Sequence, residues 1–133
     1  MSDEIFPFVG DFRELQHGSP DGPSLRSAVC AQEPPHAREL VRYLRGGAVL
    51  ASTASITFDV LSSGNTVIGG LQLLTDGRWL WYSDLAHYVE HHRVALDPRF
   101  VAHAQGNGWS APQLSRTDLL ALESALLGGA SED

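Results

Sequence analysis

Ile68-Gly69-Gly70-Leu71-Gln72-Leu73-Leu74-Thr75-Asp76-Gly77-Arg78-Trp79-Leu80-Trp81-Tyr82 is the stretch on which the fold turns. Asp76-Gly77 separates two apolar runs. A two-residue Asp-Gly loop between such runs signals a β-hairpin, because its turn needs positive φ. The turn predicts strands over about 66–75 and 78–82. It sets Thr75 opposite Arg78, Leu74 opposite Trp79, Leu73 opposite Leu80 and Gln72 opposite Trp81. Side chains alternate along a strand, so Leu71, Leu73, Leu80 and Tyr82 share one face while Leu74, Trp79 and Trp81 share the other. Both faces are apolar. One packs against helices; the other is either covered too or serves as a recognition surface.

Upstream, Ala48 to Thr53 and Ser55 to Leu61 are rich in β-branched and apolar residues and read as two more strands, joined to the hairpin by the turn Ser62-Ser63-Gly64-Asn65. Before them, Ser24 caps a short helix reaching about Gln32. A better helix runs from about Pro35 to Arg45 and stops at Gly46-Gly47. Its inward residues are Ala37, Leu40, Val41 and Leu44. Arg38, Arg42 and Arg45 form a separate stripe, which is either a solvated face or a place for a phosphate or carboxylate. Residues 1–23 read as an irregular arm whose Phe6, Phe8 and Phe12 either pin it to the core or form an exposed apolar patch.

Downstream, Ser83 caps a helix to about His92, with Leu85, Tyr88, Val89 and His92 as its buried stripe. Asp97-Pro98 starts another, with Phe100, Val101 and Ala104 inward and Gly106 or Gly108 at its end. Ser115 and Asp118 resemble a capping box. Beyond them Leu119, Leu122 and Leu126, widened by Leu120 and Leu127, make a seam that docks on the sheet or meets a partner chain. The expected fold is therefore α+β: a mainly antiparallel sheet of about four strands, flanked by N-terminal and C-terminal helices, in one domain spanning 1–133.

The chain has 133 residues, 43% apolar and 19% charged, which suits one globular domain. Sixteen acidic residues stand against nine basic ones, all arginine, for a net charge of −7. Nucleic-acid binding needs clustered cations to displace counterions, so this balance argues against it. The same balance suits a basic protein partner. No apolar run reaches the ~18 residues of a membrane helix, and the start Met-Ser-Asp-Glu is acidic where a secretory signal would be basic. Cys30 is the one cysteine, so no internal disulfide forms. A cytoplasmic location is expected.

The residues from Ile68 to Gly77, with Trp79-Leu80-Trp81, Ser83-Asp84-Leu85 and Tyr88-Val89, carry a resemblance. The chain resembles a group of small uncharacterised actinobacterial proteins that share a Leu-Thr-Asp-Gly-x-Trp-x-Trp hairpin followed by an Asp-Leu helix. The likeness spans roughly 36–109. It implies a fold and no enzyme activity, cofactor or catalytic residue. Some small acidic proteins of this kind resemble immunity proteins that neutralise toxins, which implies a protein partner.

The richest chemical constellation is Asp84, His87, Glu90, His91 and His92. His87 and His91 lie at i, i+4 on one helical face, the spacing that lets two imidazoles share zinc, and Asp84 one turn earlier offers a carboxylate. The His-Glu-x-x-His protease motif is absent, since Tyr88 follows His87. Asp59, flanked by Phe58 and Val60, is the acidic residue without an evident turn or capping job; if buried, it needs an Arg partner. Nucleotide loops and a Gly-x-Ser-x-Gly elbow are missing. Gly69-Gly70 lies within a strand, where it marks a bulge or close packing. Trp79, Trp81, Tyr82, Tyr88 and Trp109 concentrate the large aromatics, which fill cores or make interface hot spots.

These features favour a non-catalytic cytoplasmic protein-binding module of immunity type that neutralises a basic partner. Trp79, Trp81, Trp109 and Asp59 are its candidate contacts, and no cofactor is implied. One alternative is a small zinc-dependent enzyme built on Asp84, His87 and His91. The other is a scaffold that forms a homodimer through its C-terminal helix.

Overall fold

The structure, a computed structural model, describes residues 7–15, 18–64 and 66–131, with 126–131 as backbone only. The expectations for Phe6, Asn65 and the side chains of Leu126 and Leu127 lie outside the described residues. The order is α1 (Leu25–Ala28), α2 (Ala37–Arg45), β1 (Ala48–Phe58), β2 (Val67–Thr75), β3 (Leu80–Tyr82), α3 (Leu85–His92), α4 (Pro98–Gly106) and α5 (Arg116–Ser131). This is an α+β fold with an antiparallel three-stranded sheet ordered β1-β2-β3. The sheet has three strands rather than four because Ala48–Phe58 runs through as one. Register shifts between Ser52 and Ile56 take up the irregularity without ending the strand.

The hairpin register also differs from expectation. Thr75 pairs with Leu80, Leu74 with Trp81 and Leu73 with Tyr82. The cause is the Asp76 carboxylate: its Oδ1 accepts from Arg78 N at 2.9 Å and Trp79 N at 2.8 Å. Those amides close the loop, so the loop spans Asp76 to Trp79. Gly77, at φ 96°, supplies the positive φ the turn demands. The slip is by an even number of residues, so each side chain keeps its face. Leu74 and Trp81 meet the helices. Trp81 is fully buried, gives its indole N–H to Leu44 O at 3.1 Å, and sits edge-on to Phe100 of α4. Trp79 is buried against the same ring.

The core joins that face to Leu40, Tyr43 and Leu44 of α2, Leu85, Tyr88 and Val89 of α3, and Phe100 and Ala104 of α4. Phe12 anchors the N-terminal arm there, while Phe8 stays exposed, stacks on Tyr82 and makes a parallel bridge to Leu80. Glu14 accepts from Leu25 N at 2.7 Å, Arg26 N at 3.2 Å and Ser24 Oγ at 3.0 Å, closing the start of α1. Ser24 caps α1 as expected, but the helix stops at Ala28. Ser83 is turned to β2, where its Oγ bonds Gln72 N and Gly70 O, and Asp84 takes the cap position of α3. Ser115 and Asp118 form the reciprocal capping box. On α5, Leu119 and Leu122 are half-buried and Leu120 is exposed, so this helix docks lightly, with β1 as its neighbour. No helix among the described residues is long and apolar enough to cross a membrane.

Candidate metal centre

Asp59 follows β1 directly, and α3 lies beneath it. Tyr88, the fully buried centre of the α3 stripe, fastens the two together. Its hydroxyl donates to Phe58 O at 3.3 Å and accepts from Val60 N at 3.0 Å, holding the residues on both sides of Asp59. Burial pushes the Tyr88 phenol up to about 12, so it stays neutral. The neighbours of Tyr88 in the helix lattice, His87 and His92, flank the carboxylate. His87 Nε2 lies 2.7 Å and His92 Nε2 2.6 Å from the same oxygen, Asp59 Oδ2. The other oxygen accepts from Leu61 N at 2.8 Å.

Asp59 is only 4% exposed, whereas the side chains of His87 and His92 are 17% and 25% exposed. The site is therefore closed on the carboxylate side and reachable past the imidazoles. Burial alone would raise the Asp59 pKa. The hydrogen bonds of His92 and His87 and the Leu61 N–H outweigh it and hold the group below its ordinary value. One ligand atom from each of Asp59, His87 and His92 lies within 4.8 Å of the others, the one such cluster among the described residues.

Of the residues picked from sequence, His87 belongs to this cluster, and Asp59 belongs to it in place of Asp84. Asp84 is buried at the start of α3, outside the cluster. His91 is exposed, stacks on His87 and approaches Glu90. The i, i+4 rule selected His91 over His92 because it counts only the helix. A ligand descending from a loop onto the Tyr88 ridge is clasped from both sides, and that favours His92. The partner of Asp59 is a pair of imidazoles rather than the expected arginine. A signal was present: an acidic residue to which the sequence assigns no turn or helix cap, and a histidine on the inward stripe. In the structure Asp59 also closes an Asx turn onto Leu61 N.

The aromatic candidates fall elsewhere. Trp79 and Trp81 are buried core residues, 8% and 0% exposed. Trp109 is half-buried and stacks on His36 with ring centroids 4.9 Å apart. A second polar network surrounds Asp76, whose Oδ2 accepts from the Tyr43 hydroxyl at 2.5 Å and lies 3.1 Å from His103 Nε2. Asn107 Nδ2 donates to Tyr43 Oη at 2.9 Å. Burial and the Asp76 carboxylate push the Tyr43 phenol far above its ordinary value. These groups satisfy one another and lock the hairpin loop to α2 and α4.

No protein-family model matches the chain, and no curated protein or solved structure matches it either.

Proposed function

We propose that the protein is a small metal-dependent enzyme whose divalent ion is held by Asp59, His87 and His92. The supporting observation is the convergence of two imidazole nitrogens and one carboxylate oxygen at a half-open site. Two nitrogens and one oxygen suit zinc or ferrous iron. Three protein ligands leave a coordination position free, the pattern of catalytic rather than structural sites. Metal–ligand distances near 2.0–2.2 Å set ligand atoms about 3.2 Å apart, so the 2.6 and 2.7 Å contacts open by roughly half an ångström on loading. Tyr88 and the Leu61 N–H hold the carboxylate in place, as outer hydrogen bonds do in metal sites. An ion so placed would acidify bound water toward pH 7.

Titration with Zn²⁺ against a chromophoric chelator tests this. One equivalent should bind more tightly than ~1 µM, and acid should weaken binding, because protons and the metal compete for the same imidazole nitrogens. His87→Ala and His92→Ala should each abolish binding; His91→Ala and Asp84→Asn should not. Binding that survives His92→Ala, or no binding at all, would sink the proposal.

A second reading keeps the immunity-type binding module. It draws support from the outer strand: Ala48–Phe58 contains no charged residue, and Ile56 is 56% exposed with Phe58 and Val67 exposed beside it. Uncharged outer strands add strands from partners, and the net charge of −7 selects a basic one. Capture of a basic protein that is lost in Ile56→Asp supports this reading. Capture unaffected by that change argues against it.

A further inference from the structure

We propose that the groove between α2 and α3 binds a small organic anion, a carboxylate or phosphate head carried on an apolar body. The groove has a volume of about 640 Å³, within the range of small-molecule sites. Its floor is Ala37, Val41 and Val89, and its wall carries Arg38, Arg42 and Arg45. A chain of net charge −7 with nine cations thus directs three of them to one place.

The three arginines are not equivalent. Arg45 is taken by Glu90, at 2.6 Å across the helix pair. Arg38 and Arg42 are exposed and have no acidic partner among the described residues. They stand one helical turn apart, with Cβ atoms about 5–6 Å from each other. At that spacing two planar guanidinium forks can grip one carboxylate or phosphate. The apolar floor rewards a ligand with a hydrophobic body over a bare inorganic ion. Glu33 and Glu90 at the same groove repel an extended polyanion, which selects a compact head. This site shares no residue with the Asp59 cluster and does not rest on the metal reading.

Amide NMR of the full chain, titrated separately with phenyl phosphate, benzoate and uncharged phenol, tests the proposal. Either anion should shift the Val41, Arg42 and Val89 amides saturably, at concentrations at least ~10-fold below those phenol needs. The stronger of the two anions identifies the head group. Arg38→Ala/Arg42→Ala should erase the preference for the anion while leaving the thermal midpoint unchanged. Arg38→Gln alone, at an exposed position that cannot unfold the chain, should weaken it. Equal responses to phenol and both anions would overturn the proposal, and so would anion binding that survives Arg38→Gln at full strength. In either case the arginines serve only to solvate the exposed face of α2.

Discussion

A buried carboxylate is costly unless other groups hold it, and Asp59 shows how this chain meets that cost. Two imidazoles and one backbone amide share its oxygens. Asp59→Asn keeps the volume but removes the charge and turns an N–H₂ or a neutral carbonyl toward His87 and His92. It should lower stability by about 2 kcal/mol, read by urea denaturation of the metal-free protein. Glu14 is a second case. Burial opposes its ionisation, but the amides of Leu25 and Arg26 and the Ser24 hydroxyl prevail and hold its pKa at about 2. Glu14→Ala should cost about 1 kcal/mol, the value of a lost helix cap. The imidazole partners of Asp59 and the helix-start partners of Glu14 all lie far off in sequence. Ser24 was readable as a cap from its own position, whereas the Glu14 contact reaches it across ten positions of sequence and leaves no periodic trace.

At the scale of the element, the helices were the most legible part. Gly46 after α2 and Asp97-Pro98 before α4 act through the backbone of the segment they bound, so their effect reads directly. The hairpin was legible in kind but not in register. Asp-Gly announces positive φ at Gly77, but it does not announce that Asp76 is drawn inward by Tyr43 and His103. The buried carboxylate then captures the Trp79 amide and lengthens the loop. Asp76→Ala should cost about 3 kcal/mol, since it frees two loop amides and leaves the buried Tyr43 O–H without its acceptor. Thermal denaturation checks this. Asp76→Asn should recover part of the loss, because an amide oxygen still accepts from Arg78 and Trp79. The candidate site was half legible for a related reason. Periodicity orders residues within α3, but the choice between His91 and His92 is made by the β1–β2 loop that crosses it.

At the scale of the whole molecule, the carboxylates govern the response to acid. Glu14 and Asp59 are held below their unfolded values, so the unfolded chain binds protons more readily than the folded one. Their contribution is complete above about pH 5, where both states are ionised, given ordinary carboxylate pKa values near 4. It is lost as pH falls through the folded values, toward pH 2 for Glu14. Glu90 and Asp97 are also lowered by their arginine partners, but those pairs are solvent-screened and add little. Stability should therefore decline monotonically between pH 5 and 2. Urea titrations followed by fluorescence of the buried Trp79 and Trp81 will report it. The Glu14→Gln/Asp59→Asn double variant should be weaker at pH 7 and flatter across the same interval, since these two linked carboxyls no longer titrate. A double variant with the slope of the parent would mean that acid acts instead through the remaining carboxylates, whose protonation leaves the nine arginines to repel one another. That outcome would separate the fold's acid sensitivity from the Asp59 site altogether.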